Sequence, residues 1–142
     1  MKLYLKSFEK SLGQLEKSLS YLKSELARND EELRKQFRAA SIQAFEYTYE
    51  QSVKMLRRQL EQILANPGEL REMAFMDLIR TAAGAGLVKD VAAFRVYREM
   101  RNITSHTYDE NKAEEIISVL DQFVRDMHFI LFELGRRNNE TD

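Results

Sequence analysis

Apolar residues recur every three or four positions along almost the whole chain, and this spacing limits the possible folds more than any other feature of the sequence. In the first segment it forms one stripe, made of Leu5, Phe8, Leu12, Leu15, Leu19, Leu22 and Leu26. The stripe predicts a helix over about 3–27. No segment shows the period-two alternation of a β-strand. The sequence therefore predicts an all-α protein.

Two further helices are predicted before the middle of the chain. Asp30 is expected to cap a helix over about 31–64, because a short acidic side chain accepts a bond from a free amide of the first turn. Asn66-Pro67-Gly68 ends that helix, since proline cannot continue the hydrogen bonding. A shorter helix over about 69–83 follows and closes at Gly84-Ala85-Gly86.

The second half of the chain predicts two more helices. Asp90 is expected to cap the fourth helix, after which the pattern loosens into a turn over 106–111. Asn111 and Glu114 have the spacing of a capping box. The last helix would therefore follow Asn111 and end at Gly135.

Short connections between long amphipathic helices favour antiparallel neighbours. We therefore predict an up-and-down antiparallel bundle of four main helices with one shorter inserted helix. The chain is expected to be a single domain over 1–142, with a core over 3–135 and a polar tail over 136–142. We expect the leucine stripe of the first helix to pack in the core of the monomer rather than at a dimer interface.

Composition excludes several classes of protein. The chain has no cysteine, which rules out disulfides and thiolate sites and fits a reducing cytoplasm. No apolar run is long enough to span a bilayer, so no membrane partner is expected. With 22 basic and 23 acidic residues, the chain lacks the net positive charge of proteins that bind nucleic acid mainly through overall charge. Any RNA contact must come from a local cluster.

The common enzymes built on helical bundles are also excluded. Di-iron proteins need two Glu-x-x-His pairs. The chain has two histidines, His106 and His128, and the residues three positions before them are Ile103 and Arg125 rather than glutamate. His128 lies beside the apolar stripe of the last predicted helix, where a structural role is expected. A phosphate loop or a nucleophilic serine elbow needs a preceding strand, and no strand is predicted. No metal or cofactor is therefore expected.

One polar cluster stands apart from this pattern. Arg98 and Arg101 lie one turn apart on the same strip of the fourth helix, and His106 and Tyr108 follow. Imidazole can accept a proton from a 2′-hydroxyl, and a guanidinium can stabilise charge on a phosphate. Asn102 can hold the sugar or the ring, and Tyr108 can stack on a base. Arg101, His106 and Tyr108 can therefore support RNA cleavage without metal.

A structural interpretation of the same residues remains open. An arginine and a histidine near a helix end are often a surface cation and a helix cap. Phe45, Tyr47 and Tyr49 could line a cleft with Glu46 and Glu50, although aromatic residues on a long helix are more often core. Glu46 is also a candidate to face His106 across the bundle.

The segment from Arg101 to Tyr108 resembles the signature of the HEPN family, which reads Arg, four to six residues, His, any residue, Tyr. Here four residues separate Arg101 from His106, and Thr107 precedes Tyr108. A polar residue after the arginine, here Asn102, is also usual in that family.

Three more stretches resemble one branch of the family, the nucleotidyltransferase substrate-binding proteins related to the HepT toxins. These stretches are IQAFEYTYE (42–50), GLVKD (86–90) and HTYDE (106–110). Together with the long first helix, the resemblance covers about 3–135.

The resemblance implies a dimer that brings two copies of the motif into one cleft, and a minimal nucleotidyltransferase (MNT) as partner. In toxin members the motif cuts RNA without metal, and the partner neutralises it by transferring AMP to a tyrosine. Arg101 and His106 would then be catalytic, with Asn102, Tyr108 and Arg98 contacting an RNA or nucleotide substrate.

Tyr108 is the expected AMP acceptor, and Tyr97 is the alternative. A non-catalytic subunit that presents substrate to the nucleotidyltransferase, or a purely structural helical adaptor, also remains open at this stage.

Overall fold

Seven α-helices and one 3-10 turn make up most of the part of the chain that the structure describes. The structure is a computed structural model that describes residues 2–64, 66 and 68–139, with the side chain of Asn139 left out. The elements are α1 (Lys6–Leu22), α2 (Glu25–Asn29), α3 (Glu31–Ile63), α4 (Gly68–Glu72), α5 (Phe75–Gly84), α6 (Val91–Asn102), the 3-10 turn (Thr104–His106) and α7 (Glu110–Asn139). Within these residues there is no strand.

The predicted all-α bundle is confirmed. Its four main helices are α1, α3, α6 and α7, and α5 is the shorter inserted helix. The longest, α3, extends for about 50 Å at the usual rise per residue, and α1 packs along it. None of the helices within the described ranges is both long and apolar enough to cross a membrane.

Three aromatic rings join the helices at the centre of the bundle. Phe45 of α3 meets Phe123 of α7 edge to face at 4.8 Å between ring centres. Phe123 in turn meets Tyr97 of α6 at 5.0 Å in the same geometry. All three side chains are almost completely buried, and edge-to-face contacts add to the free energy of simple burial. This cluster fixes α6 against α3 and α7.

Buried hydroxyl groups on α1 and α3 bond to their own helices. Ser11 donates to the carbonyl of Phe8, and Ser52 donates to that of Tyr49, at 2.9 and 2.7 Å. Thr48 makes the same kind of bond one turn back. Each hydroxyl therefore satisfies its hydrogen bond without a partner on another helix.

An ionic cluster holds the start of α7 against α3. Glu114 lies 2.6 Å from Arg34 and 3.1 Å from Arg38. Burial opposes the charge on Glu114, but the hydrogen bonds from the two arginines outweigh it and hold the pKa of its carboxyl below the ordinary value. The turn that precedes α7 is thereby held close to α3.

The first predicted helix is two helices. Ser24 interrupts it, because its hydroxyl accepts a bond from the amide of Ala27 and caps α2. In α2, Ala27 is buried, whereas Leu26, the last residue of the predicted stripe, is 60% exposed. The prediction of one helix over 3–27 was therefore wrong at its end.

The predicted shorter helix is also divided. It forms α4 and α5, and between them Ala74 adopts an extended conformation that ends helical bonding. Leu70 and Leu78, on either side of the break, are both fully buried. α3 ends at Ile63 as the Asn66-Pro67-Gly68 stop implies, although Pro67 itself lies outside the described residues.

The boundaries of the last helix differ from the prediction at both ends. Asp109, rather than Asn111, provides the cap, since its carboxylate accepts from the amide of Asn111 at 2.9 Å. The helix does not end at Gly135 but continues to Asn139. Asn138 is buried there, donating to Gln59 at 3.0 Å and accepting from the amide of Leu3 at 2.8 Å. Residues 140–142 of the predicted tail lie outside the described residues.

The caps predicted at Asp30 and Asp90 are confirmed. Asp30 accepts from the amide of Leu33 at 3.2 Å, and Asp90 accepts from that of Ala93 at 3.1 Å. The bond at Asp90 fixes where α6 begins, and α6 carries Arg98 and Arg101.

Gly86 is expected to resist substitution. It has a φ of +81°, and a Cβ there would lie 2.9 Å from Nη2 of Arg137, which donates to the carbonyl of Ala85. We expect Gly86→Ala to lower the free energy of unfolding by about 1–2 kcal/mol. Gly13→Ala, where a Cβ would meet nothing within 4 Å, should raise it by about 0.5–1 kcal/mol. Urea unfolding of both variants measures these free energies. Equal changes in Gly86→Ala and Gly13→Ala would contradict the prediction.

Candidate functional site

The motif lies where α6 ends and α7 begins. α6 ends at Asn102, and the amide of His106 donates to the carbonyl of Ile103 at 2.9 Å to form the 3-10 turn. The amide of Asp109 then donates to the carbonyl of His106 at 3.0 Å. This compact turn changes the chain direction between the two helices and presents the side chains of residues 104–108.

Arg101 points toward α3, where it meets two carboxylates. Its Nη1 lies 3.0 Å from Oε2 of Glu46, and its Nη2 donates to Oε1 of Glu50 at 2.8 Å. Residues four apart on a helix share one face, so both carboxylates reach the same guanidinium. The free protein therefore surrounds Arg101 with more negative than positive charge.

Thr104 links the turn to this ion pair. Its Oγ1 accepts from Nη1 of Arg101 at 3.2 Å. It also lies 2.8 Å from the carbonyl oxygen of Arg101 and 3.2 Å from Oε2 of Glu46, either of which can accept its hydrogen. Thr104 therefore stabilises the position of both Arg101 and Glu46.

His106 and Tyr108 form a second, exposed pair. Nδ1 of His106 lies 3.4 Å from the hydroxyl of Tyr108, and the rings meet edge to face with centres 5.9 Å apart. Tyr108 is 82% exposed. Both polar groups are therefore open to a ligand or to a partner protein.

The structure brings the predicted site residues together only in part. Across the described residues, no hydrogen bond or ion pair joins Arg101 to His106. Arg98 lies over the ring of Phe75, with its Cζ 5.3 Å from the ring centre, a cation–π contact. Asn102 is exposed at the last position of α6. These residues share one end of α6 but not one hydrogen-bonded cluster.

Tyr97, the alternative modification site, is turned into the core. It is 1% exposed, and its hydroxyl donates to the carboxylate of Asp126, which also accepts from Gln122 at 3.0 Å. Burial, together with the bond to Asp126, raises the pKa of Tyr97 far above its ordinary value. A group-transfer enzyme could not reach this hydroxyl without unfolding α6.

The aromatic residues of α3 belong mostly to the core, as the commoner interpretation predicted. Phe45 is completely buried and Tyr49 is 8% exposed, whereas Tyr47 is 50% exposed. Burial raises the pKa of Tyr49 to about 12, against the opposing effect of Arg98 and Arg101. Only Tyr47 of these three can take part in a surface contact.

Two parts of this arrangement were not predicted. The sequence named Glu46 and Glu50 as cleft residues and Glu46 as facing His106, but the contacts that Glu46 makes here are with Arg101 and Thr104. Their spacing of four on one helix was the available signal. Nothing in the sequence distinguished Thr104. In the described part of the chain, no group of three or more His, Asp or Glu side chains could hold a metal ion.

The two tyrosines should differ in their effect on stability. Tyr97→Phe would leave an oxygen of the buried Asp126 without a donor, so the free energy of unfolding should fall by about 1–3 kcal/mol. Tyr108→Phe removes an exposed hydroxyl and should change it by less than about 0.5 kcal/mol. Chemical denaturation of both variants measures the difference, and a neutral Tyr97→Phe would show that the buried bond is not needed.

Comparison with known proteins agrees with this fold. The family described as nucleotidyltransferase substrate binding protein like matches residues 3–136. The chain is 43% identical over 100 residues to a protein of Haemophilus influenzae named probable ribonuclease HepT, covering 70% of this chain and 68% of that protein.

A solved structure extends the comparison over nearly the whole chain. HI0074 of Haemophilus influenzae, described as having the fold of a substrate binding domain of a nucleotidyltransferase, superposes with a TM-score of 0.89 at 33% identity. The match covers 93% of this chain and 99% of that one. The chain therefore belongs to the nucleotidyltransferase substrate binding protein like family.

Proposed function

We propose that this chain is a HepT-like ribonuclease toxin that cuts RNA without metal and is neutralised by a minimal nucleotidyltransferase. The observation that carries the proposal is the placement of the motif. Arg101, His106 and Tyr108 lie at one exposed helix junction, and His106 and Tyr108 are in contact there. The identity to a protein named probable ribonuclease HepT supports the same assignment.

The proposed reaction uses the RNA as its own nucleophile. The imidazole of His106 takes the proton of a 2′-hydroxyl, and the 2′-oxygen forms a bond to the adjacent phosphorus. The bond from phosphorus to the 5′-oxygen breaks, which leaves a 2′,3′-cyclic phosphate and a 5′-hydroxyl. The imidazolium supplies the proton that the leaving oxygen needs. Arg101 stabilises the charge on the phosphate oxygens.

A homodimer belongs to this proposal. Within one chain Arg101 faces α3 while His106 is exposed beside Tyr108. A second copy that places its own motif opposite the first would supply further cationic and imidazole groups to one phosphate. The exposed Tyr108 offers contact area at the junction.

Neutralisation by AMP transfer fits the exposure of Tyr108. Its phenolic oxygen would attack the α-phosphorus of ATP bound to the partner, and pyrophosphate would leave. The hydroxyl lies 3.4 Å from Nδ1 of His106. An adenylate on that oxygen would therefore cover the imidazole and add negative charge where RNA phosphates approach.

A non-catalytic subunit that presents substrate to the nucleotidyltransferase is the second candidate. The charge around Arg101 favours it, since Glu46 and Glu50 oppose the binding of an anion. The description of HI0074 as a substrate binding domain points the same way. The two candidates differ in whether the purified chain alone cleaves RNA.

Cleavage of RNA by the purified chain tests the proposal. We expect His106→Ala to slow cleavage by at least about 100-fold, as loss of a general base does. His128→Ala is the matched control, because His128 is exposed and pairs with Glu16 on another face. Product ends are identified by mass spectrometry. Intact RNA with wild type, or equal rates for His106→Ala and wild type, would favour the non-catalytic subunit.

Transfer of AMP is tested with the nucleotidyltransferase, ATP and the purified chain. The mass of AMP should appear on Tyr108 and should be lost in Tyr108→Phe. Tyr47→Phe is the control, since Tyr47 is half exposed and lies on α3. Transfer to Tyr47, or undiminished transfer to Tyr108→Phe, would refute the assigned acceptor.

A further inference from the structure

Two carboxylates bind one guanidinium at the motif. Glu46 and Glu50 project from α3 one turn apart, and Glu46 approaches Nη1 of Arg101 while Glu50 approaches Nη2. The three groups together carry one excess negative charge. Such an arrangement repels a phosphate as long as both carboxylates stay in place.

The two carboxylates are held differently. Glu46 has two contacts, to Arg101 at 3.0 Å and to Thr104 at 3.2 Å, and its side chain is 37% exposed. In the described part of the chain, Arg101 is the one hydrogen-bond and ion-pair partner of Glu50, at 2.8 Å, and the Glu50 side chain is 52% exposed. Glu50 is therefore the carboxylate that can leave at lower cost.

A phosphodiester is a suitable replacement for a carboxylate. The planar fork of a guanidinium binds both groups through parallel hydrogen bonds. Each carries a single negative charge near neutral pH. Exchange of the Glu50 carboxylate for an RNA phosphate would thus leave the number of charges on the guanidinium unchanged.

We propose that Glu50 occupies the place on Arg101 that an RNA phosphate takes in the complex, and that Glu46 with Thr104 holds the guanidinium while the exchange occurs. This inference rests on the proposed function, because it takes RNA as the ligand. Glu46 and Glu50 are then positioning residues with different roles. Glu46 keeps Arg101 in position, and Glu50 occupies the place that the RNA phosphate needs.

The exchange should have a small but measurable effect. Half-exposed ion pairs contribute little to stability, so the loss of Glu50 should strengthen RNA binding by about two- to fivefold. Glu46→Gln also removes one negative charge but leaves Glu50 on Arg101, so it should strengthen binding less than Glu50→Gln does. If the two carboxylates had only a structural role, the two variants would show no such difference.

The first experiment needs no RNA. Phenylglyoxal modifies free guanidinium groups, and peptide mass mapping gives the rate at Arg101. In Glu50→Gln this rate should rise by about two- to fivefold. Glu61→Gln, on the same helix but outside the ion pair, is the matched control and should match wild type. Equal rates in Glu50→Gln and wild type would overturn the proposal.

The second experiment measures binding without cleavage. A fluorescent 2′-O-methyl RNA has no free 2′-hydroxyl, so anisotropy reports affinity alone. We expect clearly tighter binding by Glu50→Gln, a smaller gain by Glu46→Gln and no change in Glu61→Gln. If Glu50→Gln exposes Arg101 to phenylglyoxal but binds this RNA no better than Glu61→Gln, the phosphate exchange is wrong.

Failure of the ribonuclease assignment would look different. Wild type would then leave unmodified RNA intact, yet both readouts above would still be measurable, since neither requires a bond to be cut. Thermal unfolding of each variant, expected to match wild type within the small effect of an exposed pair, checks that the fold is retained.

Discussion

The contact of Phe123 with both Phe45 and Tyr97 determines how the rest of the structure is arranged. These rings connect α7 to α3 and α6 in the centre of the bundle. Tyr97 also bonds to the buried Asp126 of α7. Because a buried polar group needs its partner in one place, this bond limits rotation and sliding of α6. The position of the motif at the end of α6 follows from it.

The helices could be predicted from the sequence because their signals are local. Apolar spacing gave the buried faces, and Asp30 and Asp90 marked true helix starts. The errors arose where two local signals compete. Asp109 caps α7 although Asn111 and Glu114 have the spacing of a capping box, because Glu114 instead bonds to Arg34 and Arg38 across the bundle.

The residues of the candidate site could be named from the sequence, but their geometry could not. The spacing of Arg101, His106 and Tyr108 identified the motif, and its placement at a helix junction agrees with the predicted turn. The pairing of Arg101 with Glu46 and Glu50 depends on how α6 crosses α3, which no local pattern encodes. The cleft in which two copies of the motif would meet belongs to a dimer and stays a prediction.

The hydroxyls of Ser11, Ser52 and Thr48 have a consequence for how α1 and α3 hold together. Each bonds within its own helix, so none of these bonds ties one helix to the other. The lengthwise alignment of the two helices then depends on the fit of their apolar and aromatic side chains, such as the stacked rings of Tyr21 and Phe37. Alanine at these three positions would leave no hydrogen-bond donor or acceptor unpaired on the neighbouring helix. Loss of these hydroxyls during evolution would therefore not break any hydrogen bond between α1 and α3.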